Sequence, residues 1–224
     1  MTFLRRLLCA LSLASLAIWA SSASANVLLN SSFENGTGAD ATDWSEIVGG
    51  PAGTVARTSG MATAGSFAAH MAFDHINHPA AGGAYFIEQN QGANTINNAD
   101  NFDLTFDAKA DSTDFTGLNM FYQLLWLDQD GSHGGGVKGE TLKSLVDAGI
   151  GTSYKTFSLL NINAPDGADS FLLRFQVSAG AVSGIANGLW VDNASLSVVG
   201  AVPEPASIGL LAIGSLLTLA RRRR

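Results

Sequence analysis

Asp103-Leu104-Thr105-Phe106-Asp107-Ala108 is a stretch in which every second residue is apolar. The same alternation recurs in Phe171-Leu172-Leu173-Arg174-Phe175-Gln176-Val177. Successive side chains of a β-strand point to opposite faces of a sheet, so each stretch is expected to lay one face on a hydrophobic core. We therefore predict that both stretches are strands of a sheet that is buried on one side.

Short runs of β-branched and aromatic residues occur throughout the middle of the chain, and Gly, Asn and Asp separate them at regular intervals. This spacing is typical of an all-β sandwich or barrel. The sequence has no convincing long amphipathic helix and no internal repeat of the kind that builds propellers or solenoids. We predict a short helical turn over residues 141–148 and strands over residues 27–30, 44–48, 66–73, 84–91, 101–108, 118–127, 154–160, 170–177 and 189–198.

The first 25 residues are typical of a secretory signal peptide. Arg5 and Arg6 precede an apolar stretch over residues 7–19, and Ala23-Ser24-Ala25 supplies the small residues of a cleavage site. Signal peptidase is therefore an expected processing partner, and the mature chain is expected to begin near Asn26.

The last residues combine three features in order. Val202-Pro203-Glu204-Pro205 is followed by an apolar run over residues 206–220 and then by Arg221-Arg222-Arg223-Arg224. A terminal block of cations holds such an end in the cytoplasm, and the apolar run is shorter than the roughly 20 residues that a stable span needs. We predict a C-terminal transmembrane helix that acts as a weak, temporary anchor; an ordinary permanent anchor is the alternative.

Residues 26–200 are predicted to form one domain, which is large enough to bury a core. Without the two N-terminal and four C-terminal arginines six cations remain, and without Glu204 eighteen acids remain, so the formal charge is −12. Nucleic acids and anionic lipids need clustered cations and are not expected partners. Because Cys9 lies in the signal segment, the mature domain is expected to contain no disulfide, cysteine nucleophile or cysteine-ligated metal.

The tail over residues 201–224 resembles the PEP-CTERM sorting signal of Gram-negative bacteria that build extracellular polymeric matrices. The resemblance implies that an exosortase, a membrane-embedded enzyme, acts at the Pro203-Glu204-Pro205 site, with Glu204 as the recognition element. It also implies a route in which the protein is exported, anchored transiently in the inner membrane, and then released to the cell surface or the extracellular matrix.

The body resembles the jelly-roll carbohydrate-binding modules of the family 4/9 type, whose β-sandwich is galactose-binding-like. The mature chain has Asn30-Ser31-Ser32-Phe33-Glu34 near its start and closes on Trp190-Val191-Asp192-Asn193-Ala194. The family usually has two adjacent acids in the closing strand, whereas Asn193 stands at the second position here. The resemblance implies a jelly-roll β-sandwich and makes an extracellular polysaccharide the candidate ligand.

Two acids match the positions at which many such modules share a structural calcium ion. Glu34 belongs to the opening segment and Asp192 to the closing strand. Calcium prefers several oxygen ligands close together, so the two acids would tie the first segment to the last strand. The alternative is that Glu34 caps a turn and Asp192 faces solvent.

Sugar binding needs exposed aromatic rings with planar polar side chains nearby. Tyr85 with Gln89, and Tyr122 with Gln123, are predicted to form a strand face that could meet a glycan. Trp126 and Trp190 lie within apolar strands and are predicted to be core residues.

The sequence carries no catalytic motif. The Gly-x-Ser-x-Gly elbow is absent, and nothing distinguishes a pair of acids that could hydrolyse a glycosidic bond. His70, Asp74, His75 and His78 lie close in sequence but lack the spacing of a helical metal site. We therefore predict a glycan-binding protein, with a structural or adhesive matrix protein as the alternative and a glycoside hydrolase as a third, less favoured one.

Overall fold

The computed structural model describes residues 26–78, 82–97, 100–128, 136–181 and 184–199. Residues Asn26–Val199 form one compact unit. The predicted signal peptide and the predicted tail, including Val202, Pro203, Glu204, Pro205 and Arg221-Arg222-Arg223-Arg224, lie outside the described residues. Within the described part of the chain, no helix is long and apolar enough to cross a membrane.

The described residues form strands and turns, without a helix. The strands are β1 (Gly36–Thr37), β2 (Asp40–Ala41), β3 (Ser45–Gly49), β4 (Gly53–Ser59), β5 (Phe67–Asp74), β6 (Gly83–Gln91), β7 (Asn101–Ala110), β8 (Leu118–Leu127), β9 (Val137–Ser144), β10 (Lys155–Asn163), β11 (Ser170–Ala179) and β12 (Ala186–Val198).

Ten of these strands form two antiparallel sheets of five strands each. Sheet I has the order β10-β7-β12-β5-β4, and sheet II has the order β3-β6-β11-β8-β9. β1 and β2 make a separate small hairpin. The predicted all-β class is confirmed, in the form of a two-sheet sandwich with β12 central in sheet I and β11 central in sheet II.

The core lies between the two sheets, and its centre is the ring of Phe106 on β7. That ring lies 5.5 Å from the ring of Phe157 in sheet I, and 5.1 Å and 4.8 Å from the rings of Tyr122 and Phe175 in sheet II. Burying a phenylalanine side chain contributes about 1.5–3 kcal/mol. The alternation in β7 therefore supplies one of the largest links between the sheets.

The alternation of β11 is confirmed on its inner face, but its outer face is also largely buried. Phe171, Leu173 and Phe175 belong to the central core. On the opposite face Leu172 packs with Leu125 and Leu127 in a second, smaller cluster. Apolar contacts on both faces stabilise the centre of sheet II.

Two predictions of local structure are wrong. Residues 141–144, predicted as part of a helical turn, belong to β9, because Thr141 and Leu142 pair with Leu124 and Gln123 of β8. Residues 27–30 are not a strand: the opening segment makes a single bridge, Asn26 to Ser197. β4 is a strand that the pattern did not reveal.

Candidate functional site

A band of polar side chains crosses the outer face of sheet II, which is the face directed away from the core. In β6, β11 and β8 the inward residues belong to the core, and their neighbours Glu88, Arg174 and Gln123 therefore point outward. The register pairs Arg174 with both Glu88 and Gln123. Together with Glu140 of β9 these residues form what we call the polar row.

Hydrogen bonds join the polar row across four strands. Arg174 donates from Nε and Nη2 to Oε2 of Glu88, at 2.8 and 2.6 Å, and from Nη1 to Oε1 of Gln123 at 3.3 Å. Gln123 in turn donates from Nε2 to Oε1 of Glu140 at 2.6 Å. The side chains of Arg174 and Glu88 are 14% and 17% exposed, so they are held in place but still reach solvent.

Two phenylalanine rings lie beside the polar row. The register places Phe86 of β6 and Phe121 of β8 on either side of Gln176, and both rings are partly exposed. The guanidinium carbon of Arg174 lies 4.2 Å from the centroid of the Phe86 ring, in the geometry of a cation–π contact. The face thus combines aromatic surface with planar hydrogen-bonding groups, which is the combination that sugar binding requires.

The structure places the predicted glycan residues on the other side of the same strands. Tyr85, Gln89 and Tyr122 are 0%, 2% and 6% exposed. Gln89 accepts a hydrogen bond from the backbone N–H of Leu29 at 2.9 Å and donates to its carbonyl at 2.8 Å. Burial also raises the pKa of Tyr122. The prediction that these three side chains meet a glycan is wrong, because each faces the core and cannot stack on a sugar.

The error is one of strand face rather than strand identity. β6 and β8 do carry residues of the polar row, but a shift of one residue along a strand exchanges its two faces. Phe86 and Glu88 were missed for this reason, and Gln123 was the one residue of the prediction on the outer face. Arg174 could have been found, because it is the one cation within an alternating apolar stretch.

Glu34 and Asp192 both bind the loop between β4 and β5. Glu34 Oε1 accepts hydrogen bonds from the N–H groups of Ser66 and Phe67, at 2.8 and 2.9 Å. Asp192 Oδ2 accepts from the N–H groups of Thr63 and Ala64, at 2.6 and 2.8 Å. The two acids therefore tie the opening segment and β12, the central strand of sheet I, to the same loop.

This arrangement does not fit a calcium ion. Calcium needs several oxygen ligands, whereas N–H groups are directed at these carboxylates. Within the described part of the chain, no three or more His, Cys, Asp or Glu side chains are grouped so that they could hold a metal. Asp192 is fully buried, so it does not face solvent as the alternative expected. A calcium requirement stays a prediction that binding measurements can test.

Trp126 and Trp190 have different environments. Trp126 is in the core, as predicted. Trp190 is also buried, but on the outer face of sheet I, where its ring stacks on His70 and its Nε1 donates to Oδ1 of Asp111 at 2.5 Å. Lys109 lies over both the Trp190 ring and the Tyr154 ring, with Nζ 5.4 and 5.2 Å from the centroids.

Two ionisable groups on this face have shifted pKa values. Partial burial pushes the pKa of Asp111 upward, but hydrogen bonds from His70 and Trp190 outweigh it, so the pKa lies below its ordinary value. Burial, reinforced by nearby carboxylates, raises the pKa of Tyr154 well above its usual range. These contacts hold Trp190, His70 and Asp111 against one another on the outer face of sheet I.

The comparisons with known proteins concern the tail and the fold separately. Residues 201–224 match the PEP-CTERM protein-sorting motif, which confirms the predicted resemblance of the tail. No curated protein matches the chain.

Solved structures similar to this chain include carbohydrate-binding modules from the β-sandwich superfamily, with 14% identity, a TM-score of 0.52, and coverage of 79% of this chain and 62% of that one. They also include the enzymatically active domain of tailspike protein 4 from bacteriophage CBA120. That match has 18% identity and a TM-score of 0.54, and it covers 78% of this chain and 21% of the tailspike chain. The chain thus spans about a fifth of the tailspike domain. At these identities the similarity shows the fold alone: a β-sandwich that resembles those of carbohydrate-binding modules, as predicted.

Proposed function

We propose that this is an exosortase-sorted protein of the cell surface or extracellular matrix, whose β-sandwich binds a glycan on the outer face of sheet II. The sorting motif over residues 201–224 supports the first part. The observation that carries the second part is the polar row beside Phe86 and Phe121, because it offers ring surface and fixed planar hydrogen-bonding groups on one face.

The chemistry of a sugar suits this face. A pyranose ring has apolar C–H patches that pack on aromatic rings, and equatorial hydroxyls that form hydrogen bonds with amides, carboxylates and guanidinium groups. Phe121 and the side of the Phe86 ring that Arg174 leaves uncovered would supply the first kind of contact, and Gln123, Arg174 and Glu140 the second. Binding of this kind needs no chemical step, so the proposal is a binding protein and not an enzyme.

Glycan binding is tested on the exported protein purified from its host, with a panel of immobilised polysaccharides. Phe86→Ala and Gln123→Ala are expected to weaken binding about tenfold or more, since one removes ring contact and the other a hydrogen-bonding group. Ser158→Ala is the matched control, because Ser158 is exposed on β10 in sheet I. Unchanged binding by the two variants would contradict this site. Failure of the wild type to bind any polysaccharide, together with its incorporation into the matrix, would favour the structural or adhesive alternative.

The sorting route is tested by intact-mass analysis of medium, cell-surface and membrane fractions. The proposed route produces a released species that begins near Asn26 and ends near Pro203-Glu204-Pro205. Glu204→Ala is expected to retain the protein in the membrane fraction, while Ser207→Ala serves as a control in the neighbouring apolar run. A full-length C-terminus confined to membranes in the wild type would indicate a permanent anchor instead.

A further inference from the structure

Arg174 is the one cation on the three central strands of sheet II, and Glu88 is their one acid. β6, β11 and β8 contain no other Lys, Arg, Asp or Glu. Arg174 lies on the central strand, so any ligand on the outer face of sheet II meets its guanidinium group near the middle of the surface.

Glu88 already engages the Nε–Nη2 edge of Arg174, which is one of the two edges through which a guanidinium group binds a carboxylate. A guanidinium group binds a carboxylate best through two parallel N–H groups. Here Nε and Nη2 both donate to Oε2 of Glu88. The remaining nitrogen, Nη1, donates to the neutral amide of Gln123 at the longer distance of 3.3 Å. A carboxylate on the ligand would have to displace Glu88 to reach this edge, and the other edge, between Nη1 and Nη2, consists of nitrogens that already donate to Gln123 and Glu88.

The charges of the polar row also disfavour an acidic ligand. Glu88 balances Arg174, and Glu140 adds a further negative charge at the end of the row, bonded to Gln123. A uronate carboxylate would therefore approach two acids and one engaged cation. A neutral sugar meets no such repulsion, because its hydroxyls can bond to Gln123 and Glu140 while the pair of Arg174 and Glu88 stays intact.

We propose that Glu88 determines the charge selectivity of this face, so that the protein accepts neutral polysaccharides and rejects those that carry carboxylates. This inference rests on the proposed glycan binding by the same face. Glu88 acts through Arg174: it fixes the guanidinium over Phe86, withholds the Nε–Nη2 edge from anions and adds its own negative charge.

The test compares a neutral galactan with polygalacturonan as probes, in affinity electrophoresis of the exported protein at low salt. Wild type is expected to bind the neutral polymer and to leave polygalacturonan unbound. Glu88→Gln keeps the shape of the side chain but removes its charge, and it is expected to gain at least about tenfold in binding to polygalacturonan. Salt should abolish this gain, since the new contact is ionic.

Asp103→Asn is the matched control. It makes the same change of charge on sheet I, and the backbone N–H of Asn161 that bonds to Asp103 can bond to the amide oxygen instead. Glu140→Gln is a second variant, on the edge strand of the sheet, and it is expected to show a smaller gain in binding to polygalacturonan. It keeps the test valid should Glu88→Gln unfold.

The outcomes separate the inference from the function on which it rests. Wild type that binds polygalacturonan as tightly as galactan would overturn the inference alone. So would variants that bind galactan but gain no more polygalacturonan binding than Asp103→Asn. If neither wild type nor any variant binds either polymer or any member of the wider panel, the glycan-binding function fails and the inference fails with it.

Discussion

The imidazole ring of His70 lies parallel to the indole ring of Trp190, with centroids 3.9 Å apart and 11° between the ring planes. The register pairs these residues across β5 and β12. Asp111 orients both rings, since it bonds to Nε2 of His70 at 2.9 Å and to Nε1 of Trp190 at 2.5 Å. One carboxylate thus fixes two aromatic side chains on the outer face of sheet I.

Gly188 makes this arrangement sterically possible. A Cβ atom at Gly188 would lie 2.5 Å from Nε2 of His70 and would also overlap the carboxylate of Asp111. Gly188→Ala is therefore expected to push His70 and Asp111 apart and to lower the free energy of unfolding by about 1–3 kcal/mol. Thermal unfolding followed by tryptophan fluorescence measures the effect. Gly151→Ala is the control, because a Cβ there would contact nothing within 4 Å; equal losses in both variants would contradict the steric account.

The lowered pKa of Asp111 predicts a dependence of stability on pH. A carboxyl group whose folded pKa lies below its unfolded value of about 3.9 stabilises the fold above that value. The contribution is lost as the pH falls through the folded pKa. Asp111→Asn is expected to cost about 0.5–1 kcal/mol near pH 7, a small figure because the side chain is 39% exposed. The difference from wild type should shrink as the pH falls below about 3.9, as thermal melts between pH 2 and 7 would show; a difference that grows toward acid pH would refute this role.

Among the described residues, the buried side chain of His75 has no hydrogen-bond partner at either ring nitrogen. Its relative exposure is 0%, and the ring packs edge-on against Phe73 with centroids 4.9 Å apart. Leaving a buried polar group unpaired costs about 1–3 kcal/mol. His75→Phe is therefore expected to raise the free energy of unfolding by about 1 kcal/mol in urea titrations, and His75→Leu to be neutral or mildly stabilising. A marked loss of stability in both variants would show that the imidazole has an essential polar contact.

The all-β class could be predicted from the sequence because the alternation that marks a half-buried strand is a local pattern. The alternation around Phe106 needs only a period of two residues, and it marks the buried face of β7 directly. Strands without a clear apolar alternation were harder to predict, since β9 and β4 carry few large apolar residues and depend on pairing with β8 and β5.

The candidate site was only partly predictable, since its contacts join distant parts of the chain. Arg174 and Glu88 are separated by 86 positions, and their meeting depends on the pairing of β11 with β6. The error between Tyr85 and Phe86 has a similar origin: both residues are aromatic and adjacent, so composition alone cannot tell which one faces the core. The structure shows that Tyr85 and Ile87, two positions apart, are both buried, so Phe86 between them lies on the outer face.

The contacts of Asp192 lead to a prediction about calcium. Its Oδ2 atom accepts bonds from the N–H groups of Thr63 and Ala64 and from the Thr63 hydroxyl at 2.9 Å, while Oδ1 accepts from the N–H of Asn193 at 2.7 Å. Because these donors already satisfy the buried carboxylate, its stabilising effect should not depend on a metal ion.

Asp192→Asn is expected to lower the free energy of unfolding by about 2 kcal/mol, because an amide NH₂ group would replace one of the accepting oxygens and oppose an N–H donor. Chelation with EDTA and addition of millimolar calcium should each shift the wild-type melting temperature by less than about 1 °C. Asp103→Asn, at a half-buried position of sheet I, controls for the change of charge. A calcium-dependent rise of several degrees in wild type, absent from Asp192→Asn, would mean that the loop amides give way to an ion and that these acids form a metal site.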